Sequence, residues 1–115
     1  MKDDNIFLLQ TFEFIDKIES YTEGGYEEFI NSPMIQDAVI RNFEIIGEAA
    51  KQIPNTMKAK YPAISWREIA GFRDILIHRY MGIDVDEVWN VVRSDLPILK
   101  TEILEILSSF KGINK

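Results

Sequence analysis

Arg73, His78 and Tyr80 fall within the eight-residue segment Arg73-Asp74-Ile75-Leu76-Ile77-His78-Arg79-Tyr80, and His78 is the single histidine of the chain. Together they make a compact set for phosphodiester chemistry. A guanidinium offers a rigid fork of donors that matches a phosphate, and an imidazole can accept and return a proton near neutral pH. A carboxylate at Asp74, four residues before His78, reaches the imidazole along a helix face and would orient it. Each residue also has a plainer role. Arg73 interrupts the apolar stripe Trp66, Ile69, Ala70, Leu76, Ile77 and Tyr80, where an unpaired charge would be very costly. Its guanidinium either pairs with an acid from another helix, Glu44 or Glu48, or opens into a pocket that admits a phosphate. His78 can equally be a surface histidine with a local salt bridge, and Tyr80 a core aromatic.

The spacing adds a geometric constraint. His78 follows Arg73 by five residues, about 140° around a straight helix, so the two side chains diverge. One site results if the helix end distorts, or if two copies meet across a two-fold axis with these helices facing each other.

The elements that must position this segment are all helical, because the alternation expected of strands is absent. A first helix is predicted from about Asp4 to Tyr21 on the stripe Leu8, Phe12 and Ile15, widened by Phe14, Ile18 and Tyr21. Gly24-Gly25 ends it, and a short turn at Tyr26–Ile30 follows. Ser32-Pro33 opens a second long helix, in which Val39, Phe43, Ile46, Ala50 and Ile53 recur at three- and four-residue steps. Pro54 stops it, and the connector Asn55–Ala63 has room for one more helical turn. Ser65-Trp66-Arg67-Glu68 reads as a capping box for a third helix running to about Met81, with Gly82 as terminator. Asp84-Val85-Asp86-Glu87 opens the last helix, whose stripe is Val88, Val92, Leu96, Leu99, Ile103, Ile106 and Phe110. Pro97 removes a ladder hydrogen bond and should kink or split it near Ser94–Asp95. The expected fold is therefore an all-α antiparallel bundle of four or five helices in a single domain spanning residues 1–115.

Composition narrows the function class. The chain carries a formal charge of −6, which argues against broad binding to a nucleic-acid backbone. A local basic site built from Arg67, Arg73, His78 and Arg79 would act against that field, and a basic protein partner is another outlet for the acidic surface. Without cysteine, disulfides and thiolate metal sites are excluded. No apolar run has the length of a membrane span, and the start MKDDNIF lacks a secretory pattern, so a cytoplasmic location is the expectation.

Residues 73–80 resemble the Arg-x4-His-x-Tyr motif of the HEPN superfamily, and more narrowly that of its HepT-like (DUF86) toxins. The second helix is similar too, in Arg41-Asn42-Phe43-Glu44-Ile45-Ile46-Gly47-Glu48-Ala49-Ala50-Lys51. So are Tyr61-Pro62, Ser65-Trp66, Ala70-Gly71-Phe72, Val88-Trp89 and Asp95-Leu96-Pro97. The resemblance spans nearly the whole chain. It implies a small HEPN-type helical bundle that dimerises and cleaves RNA without metal or cofactor. Arg73 and His78 correspond to the catalytic pair, and Asp74 to a supporting polar position. Tyr80 corresponds to the tyrosine that a nucleotidyltransferase antitoxin of the MNT type silences with AMP. Attack by the RNA 2′-hydroxyl is implied, so DNA would not be cut. Two alternatives stand beside the toxin reading. One is a non-catalytic nucleotide- or substrate-binding partner of a nucleotidyltransferase; the other is a structural dimerisation bundle with Arg73 in an internal ion pair.

Overall fold

The computed structural model describes the backbone of residues 2–78 and 82–113 and the side chains of residues 6–78 and 82–109. Arg79, Tyr80 and Met81 lie outside the described residues, as does the side chain of Phe110. The described residues form α1 (Lys2–Tyr21), α2 (Tyr26–Ile30), α3 (Pro33–Lys51), α4 (Asn55–Lys60), α5 (Trp66–His78) and α6 (Val85–Asn90). A π-helical turn (Val91–Asp95) and α7 (Leu96–Ile113) complete them. No strand occurs among them, and the fold is the all-α, HEPN-type bundle expected. Among the described residues, no helix is long and apolar enough to cross a membrane.

Local chemistry explains the boundaries. Gly25 turns the chain between α1 and α2 with φ 87° and ψ −176°, a conformation open essentially to glycine alone. Ser32 caps α3, its Oγ accepting from Ile35 N at 3.2 Å, with Pro33 at the first helical position. The start of α5 is held by the Ser65 carbonyl, which accepts from Ile69 N at 3.0 Å. Asp84 caps α6 through Asp86 N. The split expected near Pro97 takes the form of the π-turn. Leu96 N–H donates five residues back to the Val91 carbonyl, because proline at 97 offers no donor to the ladder.

Helix α3 is the centre of the bundle, packing against α1 on one side and α5 on the other, while α7 closes over α1. Leu8, Ile15 and Ile18 of α1, Val39, Phe43 and Ile46 of α3, Leu76 of α5, and Val88, Leu96 and Ile103 meet in one core. Tyr21 and Ile77, both expected on buried stripes, are instead exposed. Each lies at the margin of its helix stripe. Two links tie distant segments together. Tyr26 donates its hydroxyl to Asp86 at 2.7 Å, and Lys100 on α7 pairs with Glu19 on α1 at 2.8 Å.

The α3–α5 contact is unusually close. A Cβ added at Gly47 would collide with Arg73 Cβ and would lie 2.8 Å from Arg73 Cγ and 3.2 Å from the Ile69 carbonyl oxygen. Gly71, in the middle of α5, faces open space instead. The two glycines therefore make opposite predictions. Helix propensity favours alanine over glycine by up to about 1 kcal/mol, so Gly71→Ala should raise the melting temperature. Gly47→Ala should lower it, because overpacking costs about 1–3 kcal/mol. Thermal unfolding of both variants checks the contact, and a more stable Gly47→Ala protein would refute it.

Candidate functional site

Gly47 is the reason Arg73 lies where it does. With no side chain at 47, the stem of Arg73 rests on the α3 backbone and its head emerges beside the next residue of that helix. There Arg73 Nη2 pairs with Glu48 Oε1 at 2.7 Å. Arg73 Nη1 donates to Asp74 Oδ1 at 3.1 Å, and Lys51 Nζ donates to the same oxygen at 3.0 Å. Lys51, Asp74, Arg73 and Glu48 thus form a four-membered chain of alternating charge that stitches α3 to α5. Arg73 Nε is buried with no hydrogen-bond partner among the described residues. The guanidinium is therefore held through two of its three nitrogens.

The ion pair expected between Arg73 and Glu44 or Glu48 is made by Glu48, while Glu44 pairs with Arg41 at 3.6 Å. Arg73 and these acids line a shallow groove with Ile45, Gln52 and Ile77, so the head is reached from solvent. Its side chain is 22% exposed and that of Glu48 51% exposed. This places the pair in the range of exposed pairs, worth about 0–1 kcal/mol.

His78 is exposed at the last described turn of α5. Its Nδ1 lies 2.8 Å from the main-chain carbonyl of Asp74. A carbonyl only accepts, so the bond assigns the proton of a neutral ring to Nδ1 and leaves the Nε2 lone pair without a partner among the described residues. Asp74 does meet His78, then, but through its backbone. The contact expected from its carboxylate is not made, because Lys51 and Arg73 compete for that group and both carry charge. Arg73 and His78 leave α5 on different sides, as the helical spacing requires, and Asp74 is the residue bonded to both. Arg67 sits at the opposite end of α5, roughly 16 Å along the axis from His78, and does not join them. Arg79 and Tyr80 lie outside the described residues.

Sequence reasoning missed Lys51. The signal was present, since Lys51 follows Glu48 by three residues and shares its face of α3.

Lys51, first, and Arg73, second, hold the Asp74 carboxyl below the usual carboxylate range. A depressed carboxyl contributes stability above its unfolded value and loses it as pH falls through the folded value. NMR titration of Asp74 should therefore show a midpoint below that of an ordinary aspartate, and Lys51→Ala should move it back upward. An Asp74 midpoint unchanged by Lys51→Ala would refute the bridge.

The comparisons with known proteins converge. The family model described as "Ribonuclease HepT-like" matches residues 12–106. A relative from Methanocaldococcus jannaschii named "Gamma-glutamylcyclotransferase and putative RNase" is 49% identical over 107 residues, which is 92% of this chain and 48% of that protein. The chain thus spans about half the length of that relative. Another from the same organism, named "Putative RNase", is 42% identical over 112 residues, covering 96% of this chain and 93% of the relative. A "Probable ribonuclease HepT" from Thermococcus cleftensis is 48% identical over 95 residues, 82% of this chain and 86% of the relative. No solved structure matches. With its Arg73–Asp74–His78 unit on a helical bundle of the expected order, the chain belongs to the HepT-like ribonuclease family of HEPN proteins.

Proposed function

We propose that the chain is a metal-independent endoribonuclease, the toxin of a toxin–antitoxin pair, working at a cleft between two copies. The observation that carries this reading is the Asp74 junction, which fixes an arginine by its carboxylate and a histidine by its carbonyl. On a straight helix the two heads cannot converge within one chain. A two-fold axis beside the α3–α5 face would bring Arg73 of one copy toward His78 of the other. The exposed Ile75 and Ile77 on α5 supply apolar surface for such an approach.

In the proposed step the RNA 2′-hydroxyl attacks the adjacent phosphorus. His78 Nε2 takes the hydroxyl proton, the new P–O bond closes a 2′,3′-cyclic phosphate, and the 5′-oxygen leaves with a proton from the conjugate acid. Arg73 releases Glu48 and stabilises the charge that builds on the phosphoryl oxygens. Lys51 keeps Asp74, and through it both groups, in register. An adenylyl group on Tyr80, added by a nucleotidyltransferase antitoxin, would bring bulk and negative charge two residues from His78 and repel the phosphate.

The ion pair of Arg73 also favours a second reading, in which that arginine is a structural staple. The exposure of the pair separates the two. A structural staple makes Arg73→Ala unfold, whereas a catalytic arginine in a pair this exposed, worth about 0–1 kcal/mol, leaves the variant folded and inactive.

Purified protein should cut single-stranded RNA in the presence of EDTA and spare the same sequence with deoxyribose at the cleaved positions. His78→Ala should lose about 10²–10⁴-fold in rate and Arg73→Ala about 10²–10³-fold, each with a melting temperature within several degrees of wild type. In cells, expression should arrest growth and both substitutions should relieve the arrest. Inert wild-type protein, or an Arg73→Ala variant that unfolds, would turn the argument to the binding or staple readings. Coexpression with an adjacent nucleotidyltransferase should add the mass of one AMP to Tyr80; neutralised toxin with an unmodified Tyr80 would overturn the regulatory part.

A further inference from the structure

The acidic surface finds no use in RNA cleavage, and its carboxylates are unevenly placed. The acids near the Arg73 groove are paired with cations. On the other face of the α3–α5 pair, Glu68, Asp95 and Glu102 stand around a cleft and have no cation partner among the described residues. The cleft is about 260 Å³ and lies between α3, α5, the π-turn and α7. Its floor is apolar, formed by Phe43 and Ile46 of α3, Ile69 and Phe72 of α5, and Leu96 and Leu99 of α7. Ile98 stands 59% exposed at the rim.

Two further features mark this cleft as kept open rather than left over. The π-turn forms one of its walls, with Val91 and Asp95 both lining it, and such widened turns recur at functional positions. Glu102 is part-buried without a counter-ion, and burial, followed by repulsion from Glu105, pushes its carboxyl up. A cation supplied from outside would offset both effects by stabilising the carboxylate.

We infer that this cleft is a docking surface for a basic amphipathic segment of a partner protein, one that seats one or two large apolar side chains between Phe43, Phe72 and Leu99 while its Lys or Arg residues face Glu68, Asp95 and Glu102. Size supports a side-chain anchor over a cofactor, because ligand pockets hold roughly 300–1,000 Å³ while anchoring residues fill smaller wells. Charge decides the flanks. Every ionisable group on the rim is acidic, and the chain as a whole carries −6, so complementarity and long-range attraction both select a cationic partner. RNA is repelled here for the same reason. Because α3 presents Phe43 and Ile46 to this cleft but Ile45 and Glu48 to the Arg73 groove, the two faces can be occupied together. The inference does not depend on the nuclease reading.

The test uses the full chain and three synthetic helical peptides. The first carries leucines at i, i+3, i+4 and i+7 flanked by Lys and Arg; the second is its scramble; the third replaces the basic residues with Glu. In ¹⁵N-labelled protein, the first peptide should shift the amides of Phe72, Asp95 and Leu99, and its binding should weaken as salt rises. The second and third should bind at least tenfold more weakly. Ile98→Lys and Glu102→Lys, both at solvent-reached positions, should each weaken the first peptide at least tenfold. RNA cleavage, where present, should be unchanged, so failure here and failure of the nuclease reading are distinguishable. Equal binding of all three peptides, or shifts confined to the Arg73 groove, would overturn the inference. So would a wild-type dimer that Ile98→Lys converts to monomer, which would assign the cleft to a second copy of this chain.

Discussion

The close approach of α3 and α5 at Gly47 governs the rest of the site. Two helices can pass with a side-chain stem lying directly on a backbone where one of them has no Cβ to hold it away. Here that stem belongs to Arg73. Once it is seated, the guanidinium has little choice of partner, since Glu48 occupies the next position along α3. The residue after Arg73 then points its carboxylate at Lys51, one turn further along α3. Two charged contacts between the helices therefore fix the rotation of α5 about its axis. That rotation in turn sets the direction of His78, which is bonded back to the Asp74 carbonyl. A single missing methyl group on α3 is thus upstream of where the Arg73 and His78 heads point.

Much of this was legible in the residues, and what was not has a physical reason. The cap at Ser32, the stop before Pro54 and the break ahead of Pro97 all appear where local backbone rules put them, since proline geometry and orphan amides do not depend on tertiary context. The buried stripes of α1 and α3 follow from periodicity alone. The form of the break was not legible: whether a chain meets proline with a kink or a π-turn depends on its tertiary surroundings, and here Val92 of the turn is buried in the core. Nor was the destination of the Asp74 carboxylate. Along one helix His78 is its natural neighbour, and only the arrival of α3 brings Lys51, a full positive charge, to compete. The exposed Ile77 teaches the same point in reverse. Its place on the stripe is real, but its side chain is exposed at the edge of the Arg73 groove.

The charge distribution reconciles an acidic chain with a proposed anionic substrate. Net charge describes the distant field, whereas chemistry at a phosphate depends on the few groups within hydrogen-bond reach. On the Arg73 groove, the acids are matched by cations over short distances, so the local field is close to balanced. On the opposite cleft they are unmatched. The central helix α3 therefore separates two surfaces with different electrostatic demands, and a partner suited to one is unsuited to the other.

The strength of the Arg73–Glu48 pair matters for the same reason. Had both groups been fully buried, removing either would strand a charge at a cost of about 3–5 kcal/mol, and a phosphate could not compete. With Glu48 half in solvent, water solvates the carboxylate as it leaves, and the pair is worth about 0–1 kcal/mol. A phosphodiester offers the same guanidinium a bidentate, charge-assisted contact. The acid thus serves on the proposed reading as a placeholder: it keeps the arginine extended and ordered when the groove is empty, and it yields readily when an oxyanion arrives. The unpartnered Nε fits that role, since a guanidinium bonded through all three nitrogens would resist the exchange more than one bonded through two.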